Sequence, residues 1–269
     1  MSFRIPRPII KRIWRAVIEF DLLSEGDRVL IGVSGGKDSA FLLRAMKVIA
    51  DTAPFHIDLG AIHIDLGFER NNLADIARLC QEAGVELLIE HTQIAEIALN
   101  HHRQNPCAQC AYFRRGVLNR TAVREGYNKV AYGHHLDDVV ITFLMSQLYS
   151  GHLRTFLPKT VLDRSGITVI RPLVYLREHE IIKMLKQLDF TPIDSPCPLD
   201  GNSKRAETAK LIHELTRNNP YIFSNIAAAM REGAHVELWP RQLSKEEMHT
   251  RHRQLMGQQE RINDDTDRS

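Results

Sequence analysis

The chain has 269 residues, 43% of them hydrophobic and 25% charged, with a formal net charge of +2. That length builds one large domain or a domain with an appendage, and the near balance of charge confines any nucleic-acid surface to local clusters. No apolar run reaches the roughly 20 residues that span a bilayer, and the basic start MSFRIPRPIIKRIWR lacks the apolar core and cleavage site of a secretory leader; the reading is a cytoplasmic protein with no membrane partner, in a compartment where structural disulfides are rare.

Ile9, Ile10, Ile13, Trp14 and Val17 recur near helical spacing and predict a helix over residues 8–22. A short buried strand follows at 29–33, an apolar-striped helix at 39–50, and a second strand at 56–65. A helix from about 71 to 83 precedes strands at 85–91 and 129–133. Residues 137–150 read as helix, 167–171 as strand and 178–188 as helix. Strands separated by helices of this length predict parallel crossover units, hence an α/β fold with a doubly wound parallel sheet. Ligands of such sheets gather outside the carboxyl ends of the strands. After Cys197 the pattern turns helical, at 206–217 and 220–231. The stretch from about 242 is polar, part of it an exposed helix, and its end, NDDTDRS, is expected to be disordered.

Between the first strand and its helix lies Ser34-Gly35-Gly36-Lys37-Asp38-Ser39. Two glycines let the backbone turn sharply and bring amide N–H groups close to an anion, and the following helix points its positive end at the same place. Ser34 and Ser39 add hydroxyl donors and Lys37 a cation. A tight turn alone is the plain alternative, but six fitting residues between strand and helix favour a phosphate cradle. The spacing is neither that of a Walker A loop nor that of the dinucleotide fingerprint. The hexapeptide resembles the PP-loop, SGGxDS, of the ATP-pyrophosphatase family. That resemblance implies a fold of the adenine-nucleotide α-hydrolase type, with residues 34–39 binding the pyrophosphate end of ATP. A substrate oxygen then attacks the α-phosphate, pyrophosphate leaves, and an adenylated intermediate forms. It also implies a catalytic role for Asp38, as a partner of Mg2+ or as an orienting group.

Gly133-His134-His135-Leu136-Asp137-Asp138 ends the fourth strand. Asp137 and Asp138 fall at a helix start, where capping alone accounts for either one. The segment resembles the family motif GHHxDDxxET, which implies ATP binding by Gly133 and His134 and catalytic roles for Asp137 and Asp138. Ile141 stands where glutamate is usual, while Thr142 is kept. His63 and Asp65, at the end of the second strand, are candidates for the adenosine pocket and equally read as strand-end polar residues.

Of the four cysteines, Cys80 lies in an amphipathic helix and reads as a core thiol. Cys107 and Cys110 form a C-x-x-C after Pro106, at a helix start that lowers thiol pKa and favours thiolates. Cys197 follows a second proline. Three thiolates admit a zinc site completed by another ligand, a redox C-x-x-C that leaves Cys197 idle, or a 4Fe-4S cluster with one open iron. Spacing alone does not separate zinc from cluster. The C-x-x-C, the run Phe113-Arg114-Arg115-Gly116-Val117-Leu118, the GHHxDD segment, Ile170-Arg171-Pro172-Leu173 and Pro196-Cys197 occur in one order. With the PP-loop, from about residue 29 to 230, they resemble the tRNA 2-thiocytidine synthetases of the TtcA type. This resemblance implies a 4Fe-4S cluster on Cys107, Cys110 and Cys197 whose open iron carries sulfur. It further implies tRNA as substrate, thiolation of an anticodon-loop cytidine, a homodimer, and a sulfur donor such as a cysteine desulfurase or inorganic sulfide.

Basic residues cluster without acids in two places. One is residues 1–15, with Arg4, Arg7, Lys11, Arg12 and Arg15; the other is 97–124, with Arg103, Arg114, Arg115, Arg120 and Arg124. Such stripes suit phosphate contacts, and Arg12, Arg15, Arg114 and Arg115 are the candidate RNA-binding residues. The expected organisation is a basic helical segment at 1–26, the PP-loop domain with the cysteine site at 27–200, a helical extension at 201–240 and a polar, partly disordered tail at 241–269. The alternatives are sulfur transfer to another RNA base or a small molecule, a cluster-free adenylating ligase of the lysidine-synthetase type, and a non-catalytic metal-bearing RNA-binding protein.

Overall fold

A computed structural model describes residues 5–68, 72–101, 106–186, 192–193, 197–199, 203–231 and 243–254. The chain divides into two compact units, residues 1–230 and 231–269. In the first, the elements run α1 (Arg7–Glu19), β1 (Asp27–Gly32), α2 (Lys37–Thr52), β2 (Ile57–Asp65), α3 (Leu73–Ala83), β3 (Glu86–His91), α4 (Ile94–His101), α5 (Pro106–Arg124), β4 (Lys129–Ala131), α6 (Leu136–Ser150), β5 (Lys159–Val161), β6 (Thr168–Ile170), α7 (Glu178–Lys186), α8 (Lys204–Asn218) and α9 (Tyr221–Ala229). In the second, residues 245–254 form a helix, α10. Ser244 and Glu247 exchange hydrogen bonds at its start, at 2.7 and 3.2 Å, satisfying two N–H groups that a helix end leaves open.

The strands form one sheet in the order β3-β2-β1-β4-β6-β5. β1 pairs parallel with β2 and β4, β2 with β3, and β4 with β6, while β5 runs antiparallel to β6. The doubly wound sheet is thus the one predicted, with an unpredicted antiparallel strand along one edge. Successive strand residues face opposite sides. On β1, Val29 and Ile31 pack with Ile13 of α1, Phe41 and Met46 of α2, Ile76 of α3 and Ile181 of α7. Leu30, between them, packs with Ile94 of α4 and with Leu118 and Ala122 of α5. A third apolar cluster joins Val140 of α6, Ile212 of α8 and Phe223 of α9.

Some boundaries differ from expectation. α1 stops at Glu19 because Asp21 adopts a φ of 49° and the Leu22 N–H turns back to Val17 O at 2.9 Å. β4 and β6 are three residues each, shorter than predicted, and α4 fills a crossover where no element was predicted. Residues 71 and 187–188, the ends of two predicted helices, and the closing NDDTDRS lie outside the described residues. Cys80 is buried on α3, and burial pushes its thiol up to about 11, which keeps it unreactive. Among the described residues no helix is long and apolar enough to cross a membrane.

Buried charge pins the amino ends of β1 and β4. Lys129 Nζ lies 2.6 Å from Asp27 Oδ2 and donates to Leu22 O at 2.8 Å. Asn128 Nδ2 donates to Asp27 Oδ1 at 2.8 Å, and the Ser24 N–H to Oδ2 at 2.6 Å. Removing one member of such a pair leaves its partner charged and desolvated. Asp27→Ala is therefore expected to cost about 3–5 kcal/mol, read as a lower urea midpoint; a wild-type midpoint would show that the pair carries no stability.

Candidate active site between β1 and β4

The winding of the chain reverses between β1 and β4, whose neighbours lie on opposite sides. Ligands of open α/β sheets bind beyond the carboxyl ends of the strands at such a point. A cavity of about 560 Å³ lies there. Its wall is formed by Gly32 at the end of β1 and Val33 and Ser34 after it, by Ile62, His63 and Ile64 of β2, and by Tyr132, Gly133 and His134 after β4. Ala111, Arg114, Arg115 and Leu118 of α5 face it, and Asp38, Ser39, Asp138, Phe156, Arg171 and Arg205 complete it.

The predicted phosphate loop turns as its glycines allow. Gly35 has a φ of +85°, and a Cβ there would meet Ile193 Cδ1 at 2.9 Å. The Ile193 N–H donates to Gly35 O at 3.1 Å, seating Ile193, four residues before Cys197, on the loop. Within the loop, the Ser34 N–H donates to Ser39 Oγ (3.1 Å) and Ser39 Oγ donates to Gly36 O (2.9 Å). α2 begins with no side-chain cap, so its first N–H groups and its positive end are left to an anion. Lys37 Nζ bridges Asp38 Oδ2 (3.0 Å) and Glu178 Oε1 (2.9 Å). Burial lowers the Lys37 pKa, but the two carboxylates outweigh it and the net shift is upward.

A Cβ on Gly133 would lie 2.8 Å from Asp38 O, so the loop after β4 is pressed against the first turn of α2. Buried His135 consequently sits among three carboxylates. Its Nε2 is 3.5 Å from Asp38 Oδ1 and 3.6 Å from Asp138 Oδ2, and its Nδ1 is 3.6 Å from Asp137 Oδ2. Asp138 caps α6, accepting the His135 N–H at 2.9 Å, and pairs with Arg205. Arg205 also approaches Thr142 Oγ1 at 3.5 Å, while Ile141 packs into the apolar cluster of α6, α8 and α9. Asp137 is not in the cavity wall; it accepts from Arg177 Nε (3.1 Å) and the Glu178 N–H (2.8 Å), joining α6 to α7. Burial pushes the Asp38 carboxyl up against the pull of His135 and Lys37, and Asp38 Oδ1 is buried with no hydrogen-bond partner among the described residues.

His63 and His134 line the cavity; Asp65 does not. His63 Nδ1 lies 2.8 Å from Val33 O. A carbonyl only accepts, so Nδ1 carries the proton, and burial lowers the ring's pKa. Asp65 accepts the Gly67 N–H and pairs with His91 Nδ1, both at 3.0 Å, and the Gly67 bond is the main cause of its lowered pKa. Burial takes His134 down to about 4 and Arg171 down to about 10.

Cys107 and Cys110 occupy the first turn of α5. Cys107 is exposed; Cys110 and Cys197 are half-buried. Burial pushes the Cys110 thiol up, Arg114 opposes this, and Cys197 and Cys107 add to it. The helix start was expected to lower this thiol, and desolvation outweighs it. Among the described residues no group of three or more His, Cys, Asp or Glu side chains is arranged, as it stands, to hold a metal ion. Arg114 and Arg115 have no ion pair among the described residues. Arg12 is paired with Glu180 (Nη1 to Oε2, 2.8 Å) and Arg15 with Glu19 (3.1 Å); neither lines the cavity. Tyr132, Phe156, Arg171 and Arg205 were not among the predicted site residues. Arg171 alone carried a signal, as a cation directly after a strand end.

Residues 8–206 match the PP-loop domain family, and the chain belongs to it. The chain is 37% identical over 243 residues to the tRNA-cytidine(32) 2-sulfurtransferase of Geobacter metallireducens, covering 89% of this chain and 95% of that one. It is 34% identical over 238 residues to the protein of the same name from Anaeromyxobacter sp., covering 87% and 80%. Within the PP-loop family it is a member of the tRNA-cytidine(32) 2-sulfurtransferase family. The fold is similar to that of the U34-tRNA thiolase NcsA of Methanococcus maripaludis, solved with its 4Fe-4S cluster. The TM-score is 0.68 and the identity 27%, over 82% of this chain and 77% of that one.

Asp38 links this geometry to pH. Its folded pKa lies above the unfolded value, so the native state holds its proton to higher pH and stability falls as pH rises through the carboxylate range. Asp38→Asn is expected to melt above wild type at pH 7, with the gain gone by about pH 3, where both side chains are neutral. Equal melting at pH 7 would refute this.

Proposed function

We propose that this chain catalyses ATP-dependent replacement of the C2 oxygen of a tRNA cytidine by sulfur. The observation that carries the reading is the seating of Ile193 on Gly35. Ile193 lies four residues before Cys197, and Arg114, one turn beyond Cys110, lines the cavity that the phosphate loop borders.

In this reading Ser34, Gly35, Gly36, Lys37, Asp38 and Ser39 hold the pyrophosphate end of ATP through the open N–H groups of α2, with Gly133 and His134 beside them. His63, protonated on Nδ1, keeps Nε2 as an acceptor suited to the adenine amino group, and Asp65 shapes the turn behind it. The cytidine O2 attacks the α-phosphorus and pyrophosphate departs, its charge met by the α2 amides and Lys37. The base is left as its AMP ester, a far better leaving group than oxide.

Asp38, whose buried Oδ1 awaits a partner, and Asp138 would hold Mg2+; both offer the hard oxygen ligands that ion takes. Asp137 supports them by fixing the start of α6. Cys107, Cys110 and Cys197 would hold a 4Fe-4S cluster, with zinc the second occupant such donors admit; when bound, the cluster supplies from its open iron the sulfur that displaces AMP. Arg114 and Arg115 are open to RNA phosphate, while Arg12 and Arg15, already paired, contribute less. A cysteine desulfurase or inorganic sulfide renews the sulfur, and the protein works in the cytoplasm as a homodimer.

Deleting the gene and analysing tRNA nucleosides by mass spectrometry is expected to show loss of 2-thiocytidine; unchanged thiolation refutes the substrate. In anaerobically purified protein, Cys197→Ala is expected to lose the iron while keeping ATP affinity. Full iron content in that variant would show that the third ligand is misassigned.

A further inference from the structure

Ser34, Asp38, Ser39 and His63 account for one side of the cavity. The other side, beyond the ends of β4 and β6, is built from residues outside the phosphate loop: Tyr132, His134, Phe156 and Arg171. Its surfaces are planar. The His134 and Phe156 rings stand 4.8 Å apart between centroids, tilted by 39°, and the Arg171 guanidinium lies 4.9 Å from the Phe156 centroid. Arg171 is held in place, donating from Nη1 to Leu157 O at 2.6 Å and from Nε to His134 Nδ1 at 3.3 Å. A guanidinium N–H only donates, so His134 Nδ1 accepts and the ring's proton sits on Nε2. Tyr132 Oη is buried with no hydrogen-bond partner among the described residues, although buried phenols ordinarily have one. This side therefore combines π faces with donors: a guanidinium, an imidazole N–H and a hydroxyl.

We infer that it is the subsite for the target base, which stacks on Phe156 and turns its acceptor edge to Tyr132 and Arg171. The inference rests on the function proposed above and adds the residues that read the base. Stacking on an aromatic ring holds any base; the donors supply the choice. Cytosine presents adjacent acceptors, O2 and N3. Uracil presents an N3–H at the same place; the Tyr132 hydroxyl can donate or accept, but the Arg171 guanidinium only donates, so there donor would meet donor and a buried group would go unpaired. Arg114 and Arg115, near enough to act on the Tyr132 phenol, offer charge to the flanking phosphates.

The test uses the cluster-loaded protein, a non-hydrolysable ATP analogue and an anticodon stem-loop carrying fluorescent pyrrolo-cytidine at the target position. Wild type is expected to quench the fluorophore on binding. Phe156→Ala is expected to lose the quenching and to lower kcat/KM for thiolation roughly tenfold or more, and Phe156→Tyr to restore both. Arg171→Gln, whose amide can accept as well as donate, is expected to narrow the preference for a cytidine over a uridine stem-loop by about tenfold. Iron content and ATP affinity stay at wild-type levels in all three. Wild-type quenching in Phe156→Ala together with wild-type preference in Arg171→Gln overturns the subsite alone. A wild-type protein that thiolates no RNA overturns the proposed function itself.

Discussion

Residue 133 has no room for a side chain. A Cβ there would lie 2.8 Å from the Asp38 carbonyl oxygen, far inside van der Waals contact, so only glycine lets the end of β4 press against the head of α2. That approach merges the two loops flanking the switch point into one surface. His135 then meets Asp38 across the junction and Asp137 and Asp138 on its own side. From there the ties run outward: Asp138 to Arg205 of α8, Asp137 to Arg177 and the head of α7, and Lys37 to Glu178. Four helices are thus oriented by one backbone contact.

Charge around the cavity is distributed unevenly. Asp38 and Asp138 each have a cationic neighbour, whereas Arg114 and Arg115 have none among the described residues. A cleft lined in this way attracts polyanions. Burial tunes the rest. It holds His134 neutral across the physiological range and takes Arg171 down to about 10, still charged at neutral pH. The positive wall therefore does not depend on modest changes of acidity.

Much of this was legible in the sequence because it is local. A Gly-Gly turn between an apolar strand and an apolar-striped helix, a GHHLDD run at a strand end and a proline-led C-x-x-C each announce their position by neighbours along the chain. The alternation of strands and helices fixed the parallel sheet by the same logic. What escaped notice is non-local or brief. β5 has three residues, and its antiparallel pairing is set by β6 rather than by its own pattern. α4 has eight residues directly after a strand and blends into its apolar run. Tyr132, Phe156 and Arg205 reach the cavity from the end of β4, an irregular loop and the start of α8, and nothing in their spacing distinguishes them from ordinary surface or core residues. Asp137 and Asp138 show the limit of motif reading from the other direction: adjacent in sequence and both beside His135, they pair with different arginines, Arg177 and Arg205, because successive helical residues point about 100° apart.

The two ends of the sheet are built on opposite principles. At the amino ends of β1 and β4, Asp27, Lys129, Asn128 and Ser24 satisfy one another. At the carboxyl ends, Asp38 Oδ1, His135 Nδ1 and Tyr132 Oη are buried without hydrogen-bond partners among the described residues. Polar groups thus satisfy one another at one end of the sheet, while unmet polar capacity borders the cavity at the other. Such a division makes the scaffold evolvable: residues around the mouth can be exchanged to suit a new substrate while the base of the sheet goes on specifying the fold.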